Sequence, residues 1–142
     1  MSPATLYLVK QVESAIRAHL DDVVAVEGIT GGQYTAMTAV QRHPGITVTE
    51  LARLSFVRPQ TMTQMVASLE ASGLLVRGAA NGRRTRTVAL TERGEGILAR
   101  LLAPITELEE RMLATFSSSA RTDIRGALVA MRSALDTDRS TE

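Results

Sequence analysis

Between Leu51 and Thr91 the chain carries six arginines, Arg53, Arg58, Arg77, Arg83, Arg84 and Arg86, against a single acid, Glu70. The whole chain has a net charge of only +1, so the remainder is net acidic and the positive charge is concentrated in one segment. Guanidinium groups clustered on one face are the electrostatic footprint of phosphate binding; a solvated surface with its counter-charges close by is the plainer alternative. Within the same segment, "RPQTMTQMVASLEASG" sets Gln60, Thr61, Thr63, Gln64, Ala67 and Ser68 on one side of a helix. The other side holds Met62, Met65, Val66 and Leu69 at i, i+3, i+4 and i+7, the spacing of a buried stripe. An exposed helix face without a use fills more often with Glu and Lys. Amides and hydroxyls instead offer the donors and acceptors that match base edges, and glutamine can bond adenine through two hydrogen bonds.

The elements that must hold these groups follow from periodicity and punctuation. Leu6, Val9, Ile16, Leu20 and Val23 or Val24 predict an amphipathic helix ending near Gly28, whose narrow, uneven face suits another chain as partner. Thr30 caps a second helix with Tyr34, Met37 and Val40 on one side. His43-Pro44-Gly45 stops it, because the residue before proline is pushed out of the helical region. Thr47 and Glu50 have the register of a capping box, starting a short helix that reaches about Ser55. The helix with the polar face then opens with Pro59 in its first turn and closes at Gly73, a C′ residue in a left-handed conformation. Leu74 to Arg77 and Thr85 to Leu90 read as two short strands, Val88 and Leu90 sharing a face, joined by a loose loop that ends in Arg83-Arg84. A further short strand is placed between the second and third helices.

Beyond the hairpin, Thr91 caps a long helix with Leu98, Leu101 or Leu102, Ile105, Leu108, Met112 and Phe116 in near-heptad register, bent at Pro104. Ser117-Ser118-Ser119 breaks the pattern. A last helix carries Ile124, Leu128, Met131 and Leu135 on one side, and Thr137 to Glu142 is a frayed tail.

Composition narrows the function. At 142 residues, 44% hydrophobic and 22% charged, the chain suits one folded domain and not a disordered one. With no cysteine there is no disulfide, thiolate metal site or cysteine redox sensor. No apolar run approaches the roughly 18 residues of a membrane span, and the first residues lack the basic, apolar character of a signal peptide, so a cytoplasmic location without membrane contact is expected. Only His19 and His43 are present, neither with a partner at metal-binding spacing. No P-loop or nucleophile elbow occurs, and Gly94-Glu95-Gly96 lacks the third glycine of a dinucleotide site. Neither catalysis nor a metal or cofactor is therefore expected.

The order of elements, mainly α with a small β-hairpin, is that of a winged helix-turn-helix flanked by terminal helices. Taken together, "GITGGQYTAMTAVQRHPGITVTELARLSFVRPQTMTQMVASLEASGLLVRG" and "GRRTRTVALTERG" resemble the MarR (multiple antibiotic resistance regulator) family of bacterial transcriptional regulators. "TVTELA" is similar to the family's helix before the turn, "TMTQMVASLEASGLL" to its recognition helix, and "RR" with "VALTERG" to its wing and the entry to the dimerisation helix. The resemblance covers almost the whole chain. It implies a single domain, 1–142, with a DNA-binding lobe at 30–90 and dimerisation helices at 1–28 and 91–137. It further implies an obligate homodimer, acting as a repressor, that binds double-stranded DNA at a near-palindrome.

The resemblance also assigns residues. Gln60, Thr61, Thr63 and Gln64 match positions that touch bases or phosphates, Ser68 matches one often occupied by a basic phosphate contact, and Arg84, beside Arg83, matches the arginine that enters the minor groove. Arg58 belongs to the same basic segment and is expected to contact DNA. Where the family usually has an aspartate before the arginine pair, helping to hold the wing arginine, this chain has Gly82. The family commonly releases DNA when a small phenolic or aromatic-acid effector binds between the dimerisation helices and the lobe; His19, Tyr34, Met37 and Arg86 are the candidate lining residues. The competing reading is a winged-helix module that uses the Gln/Thr face to bind protein.

Overall fold

The computed structural model describes residues 2–78 and 86–139, with the backbone alone for 137–139. The elements are α1 (Thr5–Val24), a 3-10 turn (Ala25–Glu27), α2 (Gly31–Arg42), α3 (Val48–Leu54), α4 (Pro59–Ala71), β1 (Leu75–Arg77), β2 (Val88–Leu90), α5 (Glu92–Leu113) and α6 (Ser118–Arg139). The chain forms two compact units, Met1–Ile105 and Thr106–Glu142, so the first holds everything from α1 to the early turns of α5.

Local chemistry explains the helix starts. At Thr30 the hydroxyl accepts from the Gln33 N–H at 3.1 Å while the Gln33 side chain accepts from the Thr30 N–H at 2.9 Å, a complete capping box. The Asp21 carboxylate accepts from the Gly31 N–H at 2.7 Å and ties α2 to α1. At Thr47 only half of the expected box forms: its hydroxyl accepts from the Glu50 N–H at 3.1 Å, with no return bond from the Glu50 side chain among the described residues. Thr47 instead bridges Thr87. The short strand expected before α3 is thus a single bridge, supported by the Val88 N–H donating to the Ile46 carbonyl at 2.9 Å.

The core of the first unit is closed by Val24, Met37, Leu51, Met62, Val66, Leu69, Val88 and Leu101, all fully buried. On α4 the buried set is Met62, Val66 and Leu69, with Met65 half-buried at the edge. Between α3 and α4 the chain turns through Phe56 at φ 54, a left-handed conformation that costs a non-glycine residue about 1–2 kcal/mol. The Phe56 and Val57 N–H groups donate to the Arg53 and Ala52 carbonyls at 3.2 and 3.1 Å and so satisfy the end of α3. β1 and β2 pair antiparallel with Leu75 opposite Leu90, Val76 opposite Ala89 and Arg77 opposite Val88. The loop joining them, with Gly82, Arg83 and Arg84, lies outside the described residues.

Two glycines set how α4 meets α5. Gly73 at φ 76 lets the Gly73 and Leu74 N–H groups fold back onto the Glu70 and Leu69 carbonyls at 3.0 and 2.9 Å. Thr91 caps α5 by accepting from the Gly94 N–H at 3.1 Å, and Gly94 lies so close to β1 that a Cβ there would sit 2.4 Å from the Leu74 carbonyl oxygen. Elsewhere in this unit, Arg100 of α5 makes a two-pronged ion pair with Glu27 at 2.8 and 3.0 Å. That hydrogen bonding holds the Glu27 carboxyl below its ordinary pKa and the Arg100 guanidinium above its own.

In the second unit the serine run caps α6: the Ser117 hydroxyl accepts from the Ala120 N–H at 3.1 Å. Arg121 closes the preceding turn, reaching Glu110 at 2.9 Å and the Leu113 and Phe116 carbonyls at 2.9 and 3.2 Å. The helical backbone of α6 extends to Arg139, two residues beyond the expected end of the helix at 137, and the rest of the expected frayed tail, 140–142, lies outside the described residues. Among the described residues no helix is long and apolar enough to cross a membrane.

Replacing Gly94 with alanine forces the backbone of α5 away from Leu74, and overpacking of this kind costs about 1–3 kcal/mol, to be read from chemical denaturation of Gly94→Ala. The Glu27–Arg100 pair gives a pH signature. Because the folded-state pKa of Glu27 is lowered, its contribution is present above the ordinary glutamate value of about 4.3 and is lost as the pH falls through the lowered value. Glu27→Gln is expected to flatten that acid limb of a stability–pH curve.

Candidate nucleic-acid interface

Burial of Met62, Val66 and Leu69 fixes the rotation of α4 and therefore which side chains it presents. Gln60, Thr61, Thr63, Gln64, Ala67 and Ser68 are all exposed, as the period-3.6 reading requires. The structure thus brings five of the expected DNA-contact residues, Gln60, Thr61, Thr63, Gln64 and Ser68, onto one continuous surface, with Arg58 at its leading end. Thr63 differs from its neighbours because its hydroxyl donates to the Pro59 carbonyl at 2.8 Å. Its proton is committed to the helix, so Thr63 presents lone pairs and a methyl group to a partner and not a donor.

Arg58 is the N-cap of α4 and makes no side-chain cap bond. Pro59 has no N–H, and the Gln60 and Thr61 N–H groups lie at the positive end of the helix dipole without a side-chain acceptor. An uncapped helix start beside a guanidinium is a favourable place for a phosphate oxygen.

Charge pairing redistributes the six arginines. Arg77 of β1 pairs with Glu70 at 3.3 Å, so the single acid of the segment neutralises an arginine on the adjoining strand and leaves the polar face of α4 without a free carboxylate. Arg53, Arg58 and Arg86 are exposed and have no carboxylate partner among the described residues. The sequence counted Arg53 with the basic segment but gave it no role. In the structure it stands on α3 beside a hollow lined also by Arg42, His43, Pro44, Gly45, Ile46, Glu50 and Leu54.

The four candidate effector residues come from separate elements. His19 is exposed on α1 and Arg86 is exposed just before β2. Tyr34 is half-buried against the core on α2, and burial pushes its phenol above the ordinary pKa while Arg42 partly opposes the shift. Met37 has no exposed surface and packs within the core. The hollow beside Arg53 includes none of the four.

Comparison with known proteins gives the same picture of the fold and extends it to a family. The MarR family model matches residues 27–85, the stretch from the end of the 3-10 turn into the hairpin loop. The HTH-type transcriptional repressor Rv2887 of Mycobacterium tuberculosis is 26% identical over 123 residues, covering 86% of this chain and 88% of that protein. A crystal structure of Rv2887, a MarR family protein, in complex with salicylic acid superposes with a TM-score of 0.73 at 25% identity, over 92% of this chain and 97% of that one. The Staphylococcus aureus MepR–DNA complex shares the fold with a TM-score of 0.80 at 19% identity, over 93% of this chain and 96% of MepR. With the capped helix-turn-helix, the hairpin behind it and the long helices on either side, these matches show a winged helix-turn-helix fold, and over residues 27–85 the chain is similar to the MarR family of transcriptional regulators.

Proposed function

We propose that this protein is a sequence-specific repressor that binds double-stranded DNA as a homodimer, with α4 as the recognition helix. The observation that carries the reading is the surface of α4, an exposed amide and hydroxyl face with no free acid, led by Arg58, which has no carboxylate partner among the described residues. Gln60, Thr61 and Gln64 read base edges in the major groove, Thr63 accepts from a base donor, and Arg58 and the open start of α4 hold phosphate. Ser68 adds a weaker backbone contact. Arg83 and Arg84, in the wing loop, extend the contact toward the minor groove. The DNA-binding lobe at 30–90 and the flanking helices at 1–28 and 91–137 are working parts of one 142-residue domain.

Dimerisation is supported by apolar surface that the chain alone leaves uncovered. On α1, Leu6 is 75% and Leu135 on α6 is 65% exposed; Tyr7, Val12, Leu128, Val129 and Met131 are exposed as well. α6 runs for 22 residues without one buried side chain among those described, and an isolated helix draws too little stability from propensity alone. A second copy of the chain covers these faces. Two recognition helices then enter successive major grooves about 34–36 Å apart on a near-palindrome.

A small aromatic acid or phenol is the proposed effector, on the analogy of Rv2887 crystallised with salicylic acid. His19, Tyr34, Met37 and Arg86 are the residues offered to it, with Met37 reachable only if the core around it opens.

Footprinting on the promoter beside the protein's own gene tests this reading; two protected half-sites about 10 base pairs apart are expected, and no protection at low salt overturns it. Binding should weaken steeply with ionic strength. Arg58→Ala should lower the slope of log K against log salt by about one unit, as expected for one lost phosphate contact. Gln64→Ala should leave that slope unchanged and cost about 1–3 kcal/mol of discrimination at a single base pair, measured by competition between point-substituted duplexes.

A further inference from the structure

The last three carbonyl groups after α4 all find their partners at the start of α5. Arg93 Nη1 donates to the Ser72 carbonyl at 2.8 Å, the Thr91 hydroxyl donates to the Gly73 carbonyl at 2.6 Å, and the Thr91 N–H donates to the Leu74 carbonyl at 3.1 Å. The Thr91 hydroxyl is used twice, because it also accepts from the Gly94 N–H. Gly94, without a Cβ, lets the first turn of α5 press onto Leu74. The Ser72 carbonyl, at the C-cap of α4, has no partner within the helix and must find one outside it. Here a cation is also placed at the negative end of the α4 dipole, where it is favourable. The opposite end of α4 has no side-chain cap. The helix is therefore anchored to its neighbour by hydrogen bonds at its C-terminal end.

Resting on the reading of α4 as a recognition helix in a dimer, we propose that Arg93 is a positioning residue. Through Ser72 it clamps the end of α4 to α5, and thereby fixes the separation of the two recognition helices on DNA. The joint lies wholly within the first unit, and in a dimer that holds two copies of that unit on DNA the angle at which α4 leaves it enters the half-site spacing the dimer accepts. Thr91 and Gly94 belong to the same joint, but each also shapes the α5 start itself. Arg93 is exposed and its guanidinium serves the clamp, so its removal costs α4 one C-terminal bond while the Thr91 cap of α5 and the Gly73 and Leu74 N–H bonds that close α4 remain.

The test uses the full-length protein and a duplex selected by the wild-type chain from a pool of randomised DNA. Variants of that duplex carry one or two base pairs added or removed between the half-sites. Each added pair rotates the second half-site by about a tenth of a turn, so the wild-type protein is expected to lose about tenfold or more in affinity one pair away from the optimum. Arg93→Ala should reduce that penalty to less than about threefold. Its salt slope should stay that of the wild type, because the residue contacts α4 and not phosphate. Arg93→Lys, which keeps one donor and the charge, should restore most of the spacing preference. If Arg93→Ala lowers affinity equally at every spacing, or keeps the wild-type preference, the clamp does not set the spacing and the inference fails while the DNA-binding reading stands. A fall of about one unit in the salt slope would make Arg93 a phosphate contact and overturn the inference in the same way. A wild-type protein indifferent to spacing would instead remove the two-site dimer, and the inference with it.

Discussion

The close approach of Gly94 to the Leu74 carbonyl is the constraint on which the packing of α4 and the hairpin against α5 depends. Only a residue without a side chain lets α5 start against the strand that leaves α4. Once α5 is there, Thr91 can reach the Gly73 and Leu74 carbonyls and give both a partner within the protein. Met62, Val66 and Leu69 then close over the core, and the rotation of α4 has no freedom left. The polar face of α4 is consequently a result of packing behind it as much as of its own residues.

Electrostatics give that face its character by subtraction. Glu70 is drawn to Arg77 on β1, so the helix face that carries Gln60 and Gln64 meets solvent without a free carboxylate and with the exposed Arg58 at its start. A face of amides and hydroxyls has little attraction of its own for a polyanion. In the proposed reading, guanidinium groups supply the attraction and the amides supply discrimination once contact is made. The second unit has a different task. Its helices close their own turn through Arg121, yet α6 buries none of its described side chains, and it is this exposed surface on which the proposal of a dimer rests.

What the sequence showed in advance was local. Thr30, Pro59, Gly73 and Thr91 each announce a helix boundary through chemistry confined to a few neighbouring residues, and the structure uses each of them in that way. The stripe on α4 was legible because burial imposes a period that substitution cannot hide. Pairings across the fold were not legible. Nothing in the linear order says that Glu70 meets Arg77 across the turn that follows α4, or that Arg93 reaches back to Ser72. The half-formed box at Thr47 shows a local rule yielding to a tertiary one, since Thr87 engages the backbone there. The serine run before α6 looked like a break and is a cap, because serine favours both and only the following chain decides. The signal for the α4–α5 joint was present in "LTERG", where a glycine inside the first turn of an otherwise good helix asks for a close neighbour.

The central claim is that the exposed side of α4 is the surface that reads DNA. The chain has only five glutamines, Gln11, Gln33, Gln41, Gln60 and Gln64, and a single asparagine, Asn81, so its side-chain amide resonances can be followed individually. The most direct measurement is nuclear magnetic resonance of these amides in the 15N-labelled protein, titrated with a selected duplex. Large shifts at Gln60 and Gln64, with Gln11, Gln33 and Gln41 little changed, are the expected result. Binding that leaves Gln60 and Gln64 unmoved while other amides shift would contradict the claim.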